Sequence, residues 1–132
     1  MQTYGIDTSI LVRLLTGDPE PDYTQTATAL ETLLDREPKS RIVASNIVID
    51  EAYIVVQHYY GVTKAEARAA LLEVLQSDLI EPERKDTLDV IRAASKGAGL
   101  MDRLIVNDYQ ASDCKTLTHD KRMGKVEGAQ LL

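Results

Sequence analysis

The chain contains no Phe, no Trp and a single cysteine, Cys114. One thiol excludes an internal disulfide and a cysteine-based metal site, and Cys114 is expected to be a small buried residue in a reducing compartment. No apolar run approaches the roughly 18 residues that a membrane-spanning helix needs, and the opening MQTYGID lacks the basic and apolar regions of a signal peptide. These absences predict a cytoplasmic protein with an aliphatic core.

Positive charge is also in short supply. The 132 residues carry 15 Lys and Arg against 21 Asp and Glu, a formal net charge of -6. A nucleic-acid-binding protein usually has the opposite balance. Bound divalent cations reverse the local sign of an acidic site, so this composition does not exclude an acidic metal centre. The length and a hydrophobic content of 44% predict one domain over residues 1–132.

Short apolar segments alternate along the chain with longer stretches of helical periodicity. Strands are predicted at 4–7, 42–44, 79–80, 115–118 and 129–131, and residues 17–23 are predicted to be a turn. Helices are predicted at 9–15, around 27–34, at 47–60, from Lys64, between Asp86 and Gly97, and at 101–111. The alternation predicts an α/β fold, a three-layer domain with a mostly parallel, roughly five-stranded sheet flanked by helices.

Two helix boundaries have specific signals. Thr63 and Glu66 have the spacing of a capping box, which predicts the start of a helix. The segment 47–60 is dense in Ile, Val and Tyr and is compatible with a strand, but its length and the following Gly61 favour a buried helix.

Three acidic residues fall at the ends of predicted elements. In open parallel sheets the functional crevice lies beyond the carboxyl ends of the strands. Asp7 ends the first predicted strand, and Asp120 follows the fourth by two residues. Asp102 lies in the first turn of a predicted helix, where the helix dipole alone also favours a carboxylate.

A fourth acid, Glu51, lies on the predicted helix 47–60 beside Asp50. The residues three or four positions away from Glu51 are all apolar: Ile47, Val48, Ile54 and Val55. Asp50 has more polar neighbours at that spacing. The helical phase therefore predicts that Glu51 is held towards the interior, although a solvated helix face is the alternative.

If Asp7, Glu51, Asp102 and Asp120 converge, their repulsion destabilises the fold unless a cation lies between them. Mg²⁺ or Mn²⁺ suits an all-oxygen site, and such a site is suited to metal-assisted hydrolysis of phosphodiester bonds. The sequence contains no Gly-rich phosphate loop, no HExxH and no GxSxG, and His58 is most simply a core or edge residue.

Three segments carry a resemblance to a known family: IDTSILVRLLTGD (6–18), SNIVIDEAYIVVQHYYGVTKAEA (45–67) and MDRLIVNDYQASDCKTLTHDKRM (101–123). They resemble PIN-domain ribonucleases, and within these the VapC-like toxins of toxin-antitoxin pairs. The resemblance implies an acidic site at Asp7, Glu51, Asp102 and Asp120, with Asp7 and Asp102 as direct metal ligands.

The same resemblance implies supporting hydroxyl groups at Ser9 and Thr118, an Mg²⁺ or Mn²⁺ cofactor, and cleavage of RNA. It also implies a cognate antitoxin and a homodimer paired through helices in the first half of the chain. Two positions depart from the family pattern, because Ser9 stands where Asn is common and His119 stands where an aromatic residue is common. Candidate residues for contact with an RNA backbone near Asp120 are Lys115, Lys121, Arg122 and Lys125, although a solvated face is the alternative for such a charge run.

Two other functional classes remain open at this stage. A phosphatase or receiver domain also places acids at strand ends, but a haloacid-dehalogenase-like enzyme requires a second Asp where Ser9 stands. A catalytically idle PIN-fold scaffold is expected to have lost some of the four acids, and here all four are present.

Overall fold

The structure is a computed structural model and describes residues 2–132. This part of the chain contains six α-helices, five short strands and one 3-10 helix. The chain divides into two units, one ending at Glu83 and the other formed by Arg84–Leu132. The expectation of a single domain stays a prediction. The α/β class with parallel strands is confirmed.

The first unit contains a parallel sheet with the strand order β1-β2-β3. Thr3 lies opposite Arg41, and Val43 lies opposite Glu81. Its elements are β1 (Thr3–Gly5), α1 (Thr8–Thr16), α2 (Glu20–Arg36), β2 (Arg41–Ala44), α3 (Asn46–Tyr60), α4 (Lys64–Leu75) and β3 (Glu81–Pro82). The helices α1, α3 and α4 pack on one another, and the core they share includes Leu11, Ile49 and Leu71, all without solvent exposure.

Local signals explain where α3 and α4 begin and end. The Thr63 hydroxyl accepts a hydrogen bond from the Glu66 amide at 3.1 Å, and Glu66 Oε1 accepts one from the Thr63 amide at 2.9 Å. The predicted capping box is therefore confirmed. Gly61 ends α3 in the left-handed conformation with φ 66°, which glycine adopts without steric cost.

The second unit pairs two short parallel strands and packs two helices against each other. Its elements are α5 (Thr87–Ala93), α6 (Leu100–Ala111), β4 (Thr116–Thr118), a 3-10 helix (Met123–Lys125) and β5 (Ala129–Leu131). Ile91, Leu100 and Leu104 are almost completely buried and form its core.

The prediction of one five-stranded sheet was wrong. Five strands occur among residues 2–132, but they form one three-stranded and one two-stranded sheet. The third strand also lies at Glu81–Pro82 and not at 79–80, where Ile80 is instead a core residue with 2% exposure. Pro82 has no amide hydrogen to donate, so it limits the hydrogen-bonded ladder at this edge.

Two helix boundaries were also predicted wrongly. Residues 20–23 begin α2 and are not part of a turn. Pro21 falls in the first helical turn, where its missing amide hydrogen removes no helical bond, and the acids Glu20 and Asp22 interact favourably with the helix dipole. The helix α5 ends at Ala93, well before Gly97.

Some burial predictions fail as well. The outer face of α3 is open, with Ile47, Ile54 and Tyr59 exposed by 67%, 44% and 75%, so this helix is not buried on all sides. Cys114 is exposed and not a core residue. Within residues 2–132, no helix has both the length and the hydropathy needed to cross a membrane.

Candidate functional site

Asp7 accepts more hydrogen bonds on its carboxylate than the other three acids of the proposed site. It lies two residues after β1 and occupies the N-cap position of α1. Its Oδ1 accepts hydrogen bonds from the Ser9 hydroxyl at 2.6 Å and from the Ile10 amide at 3.1 Å. The Ser9 bond, followed by the Ile10 bond, lowers the pKa of Asp7 below its ordinary value.

Asp7 is therefore an exposed carboxylate that stays ionised and keeps one orientation. An N-cap acid is favourable for the helix in any protein, so this geometry also has a purely structural benefit. The bond from Ser9 is not needed for capping, and it places the predicted supporting hydroxyl in direct contact with the predicted metal ligand.

Glu51 and Asp50 are oriented differently from the prediction. Glu51 is exposed on α3, whereas Asp50 is partly buried and its Oδ1 is shielded from solvent. The physical reason lies in the neighbours of Glu51, because Ile47 and Ile54 are themselves exposed. The buried face of α3 carries Asn46, Ile49, Ala52, Tyr53 and Val56. An exposed Glu51 remains able to bind a ligand from solvent, and its role as a metal ligand stays a prediction.

Asp102 lies in the first turn of α6 and is half-buried. Gly99 occupies the N-cap position and has no side chain to cap the helix. Within residues 2–132, the Asp102 carboxylate makes no hydrogen bond or ion pair with another side chain or amide. A half-buried anion at the positive end of a helix is thus left with its oxygens available.

Asp120 lies in the loop that follows β4. Its Oδ1 accepts a hydrogen bond from the Met123 amide at 2.9 Å, and its own amide donates to the Thr118 hydroxyl at 3.0 Å. Ser9 and Thr118 each lie two residues from an acid, but only Ser9 donates to the carboxylate, whereas Thr118 accepts from the backbone amide of Asp120. His119, which lies between Thr118 and Asp120 in the sequence, is exposed.

The other histidine, His58, is exposed and not a core residue. Its ring makes an edge contact with the ring of Tyr59, with 4.7 Å between the centroids. Of the two positions predicted for His58, in the core or at an edge, its exposure on α3 agrees with the edge.

The donor chemistry of these residues suits Mg²⁺ or Mn²⁺, because both ions prefer carboxylate oxygen. Asp7 and Glu51 belong to the first unit, and Asp102 and Asp120 belong to the second. Among residues 2–132, however, no three His, Cys, Asp or Glu side chains are grouped closely enough to hold a metal ion. The structure therefore supplies separate oxygen donors, and their assembly around a metal is a proposal.

One positioning residue, Arg103, was missed in the sequence. Its Nε donates to the Ala98 carbonyl at 2.8 Å and its Nη2 to the Lys96 carbonyl at 2.7 Å. These bonds fix the loop that leads into α6, and hence the turn that carries Asp102. A signal for this role was present in the sequence. Arg103 follows a loop that contains Gly97 and Gly99, and the carbonyl groups of such a loop are outside the helix and need other hydrogen-bond donors.

Comparison with curated proteins finds no match. A family model described as the PIN domain matches residues 4–129, which include all four acids and both hydroxyl residues. The PIN domain is generally a nuclease fold, and its nucleases usually use Mg²⁺ or Mn²⁺. With nearly its whole length matched, the chain belongs to the PIN-domain family.

Proposed function

We propose that this protein is a metal-dependent endoribonuclease that hydrolyses RNA phosphodiester bonds. The observation that carries the proposal is Asp7, an exposed carboxylate held ionised by Ser9 and Ile10 in a chain of a nuclease family. The proposed metal ligands are Asp7, Glu51, Asp102 and Asp120, of which Asp7 and Asp102 bind directly. Ser9 and Thr118 are the supporting residues.

The chain's own residues supply charge and orientation. Bound Mg²⁺ or Mn²⁺ lowers the pKa of a water molecule and stabilises the charge that develops on the departing oxygen. Ser9 holds the Asp7 carboxylate in one rotamer, and Thr118 holds the backbone at Asp120. Water is the nucleophile and the 3′-oxygen is the leaving group, so the products are a 5′-phosphate and a 3′-hydroxyl and no covalent intermediate forms.

We further propose that the protein is the toxin of a toxin-antitoxin pair and forms a homodimer. The support is the resemblance of segments 6–18, 45–67 and 101–123 to VapC-like toxins. The exposed residues Tyr59 and Tyr60, at the end of α3 away from Glu51, provide a surface suited to a second copy. A basic antitoxin segment complements an acidic site. The test of the toxin role is a search for an adjacent small reading frame that encodes a DNA-binding protein.

The decisive experiment measures RNA cleavage with Mg²⁺ or Mn²⁺ and again in excess EDTA. Asp7→Asn and Asp102→Asn keep nearly the same shape but remove charge, so each lowers the rate by on the order of a hundredfold or more. Asp35→Asn, an exposed acid on α2, is the matched control and leaves the rate unchanged. Asp50→Asn is a poor control because Asp50 Oδ1 is buried.

Cleavage that persists in EDTA, or an Asp102→Asn variant as active as the parent, rejects the metal mechanism. Failure to cleave a single chosen RNA does not, so several unrelated structured and single-stranded RNAs are compared.

The second candidate is a PIN-fold binding module without catalysis. The observation in its favour is that no three potential metal ligands are grouped among residues 2–132. Calorimetric titration with Mn²⁺ separates the two functions: the nuclease binds the ion and loses affinity in Asp7→Asn, whereas the binding module shows no saturable binding.

A further inference from the structure

A cavity of about 330 Å³ in the second unit has three basic residues among the seven that line it. Arg103, Arg122 and Lys125 contribute three positive charges to its wall, and Glu127 contributes the single negative one. Gly97, Ala98 and Val126 complete the lining. The cavity is thus a concave site with an excess of positive charge, in a protein whose net charge is -6.

The guanidinium of Arg103 is held rigidly at this cavity. Two of its nitrogens donate to the carbonyls of Ala98 and Lys96, at 2.8 and 2.7 Å. Gly97 has φ +71°, and a Cβ there would lie 3.4 Å from Arg103 Nη2. Such a distance is an ordinary contact, so glycine is favoured at this position by the backbone turn and not by the approach of the arginine.

Arg122 and Lys125 differ from Arg103 in being exposed. Within residues 2–132 neither side chain forms an ion pair or hydrogen bond, and Glu127 forms none either. The cavity therefore has two cations that form no ion pair within the described part of the chain and one arginine whose guanidinium is already oriented. Such a site favours an anion with several acceptor oxygens.

The charge of the whole chain is divided unevenly. Residues 84–132 contain nine Lys and Arg and seven Asp and Glu, a net +2, whereas residues 1–83 contain six and fourteen, a net -8. The basic cavity therefore belongs to the only unit with a positive balance. Its cationic residues are also sequence neighbours of two proposed metal ligands, since Arg103 follows Asp102 directly and Arg122 follows Asp120 by two positions.

We propose that this cavity binds a backbone phosphate of the RNA strand. The inference rests on the proposed ribonuclease function and adds the position at which the strand is held. A phosphate carries the charge and the acceptor oxygens that an arginine fork and a lysine together recognise. Phosphate contacts orient a nucleic acid without reading its sequence, so the cavity acts in binding and not in specificity.

The test measures the affinity of the full-length protein for a short fluorescently labelled single-stranded RNA by anisotropy, in EDTA so that no cleavage occurs. The double variant Arg122→Gln/Lys125→Gln weakens binding by about tenfold and lowers the slope of log Kd against log salt by roughly 1.4, which is about 0.7 for each lost contact. Both side chains are exposed, so the fold is retained.

The matched control is Lys39→Gln/Lys85→Gln, which removes the same charge at exposed positions outside the cavity. The control keeps the parent's affinity and salt slope. Glu127→Gln removes the only acid of the cavity and strengthens binding, an effect that damage to the fold does not produce. Equal losses in the two double variants, or unchanged binding in Arg122→Gln/Lys125→Gln, overturn the proposal. Binding of oligoglutamate in preference to RNA also overturns it and identifies a protein ligand.

Failure of this inference and failure of the proposed function are distinguishable. If the parent cleaves RNA and the double variant has unchanged KM and RNA affinity, the ribonuclease stands and the phosphate site is rejected. If the parent cleaves no RNA in Mg²⁺ or Mn²⁺ but the variants change binding as expected, the phosphate site stands and the catalytic proposal is rejected.

Discussion

At the scale of single residues, short hydrogen bonds to carboxylates determine which groups stay charged. Ser9 and Ile10 together satisfy one oxygen of Asp7 and lower its pKa. Because this pKa is lowered on folding, the interaction stabilises the protein above the ordinary pKa of an Asp. That stabilisation is lost as the pH falls through the folded-state pKa.

Ser9→Ala removes the largest cause of the shift at Asp7, so the pKa of this carboxyl rises towards its ordinary value in the metal-free protein. The bond from the Ile10 amide remains and keeps part of the shift. Carboxyl-carbon NMR titration measures the change, with exposed Ser95→Ala as the control. An unchanged titration of Asp7 in Ser9→Ala contradicts the assignment.

Tyr4 provides a prediction at high pH. Its hydroxyl lies 2.8 and 3.0 Å from the two carboxylate oxygens of Glu37, and the Glu37 bond raises the pKa of Tyr4 above 10.0. Since this pKa is raised on folding, the bond stabilises the protein below the ordinary value. The stabilisation is lost as the pH rises through the folded-state pKa.

Tyr4→Phe therefore removes an alkaline step, one above the ordinary tyrosine pKa, from the ultraviolet absorbance titration of the six tyrosines. Stability measured at neutral pH falls in Tyr4→Phe, and the difference from the parent narrows at high pH. Tyr59→Phe, at an exposed position, is the control and leaves the alkaline step in place. Retention of that step in Tyr4→Phe disproves the Glu37 interaction.

At the scale of elements, caps and glycines set the ends of the helices that carry the acids. The helix α4 has a complete capping box, whereas α6 begins at Gly99 with no side-chain cap. The loop before α6 depends instead on the carbonyl contacts of Arg103. The start of the helix that presents Asp102 is thus joined to the preceding loop by the side chain of Arg103 and not by an N-cap side chain.

Thr63→Ala removes the hydroxyl that accepts the Glu66 amide and lowers the free energy of unfolding by about 1 kcal/mol. Chemical denaturation followed by circular dichroism measures the loss. Thr24→Ala, at an exposed position within α2, changes stability by less than about 0.5 kcal/mol. Equal effects of the two substitutions indicate that the cap contributes nothing specific.

At the scale of the whole molecule, oligomeric state is the property most open to measurement. The exposed apolar residues of α3 motivate the proposed homodimer. Light scattering at high micromolar concentration is expected to return a mass near twice 14.6 kDa. Tyr59→Lys places a charge on this surface and shifts the protein towards the monomer, whereas Thr28→Lys on exposed α2 does not. A monomeric parent rejects the dimer.

Local signals in the sequence were sufficient for much of the fold. The alternation of elements, the parallel strands, the Thr63 capping box and the strand at 129–131 agree with the structure. These features depend on neighbouring residues, on capping chemistry and on short apolar runs, all of which can be recognised without knowing the packing. The positions of Asp7, Asp102 and Asp120 at or near element ends follow from the same signals.

Tertiary structure alone decided which side of α3 faces the core. Apolar residues occur on both of its faces, so the periodicity did not distinguish Ile49 and Val56, which are buried, from Ile47 and Ile54, which are exposed. Packing against α1 and α4 selects the first pair, which leaves Glu51 in solvent. The division of five strands between two sheets was equally beyond the sequence, because strand pairing is set by contacts between segments far apart in the chain.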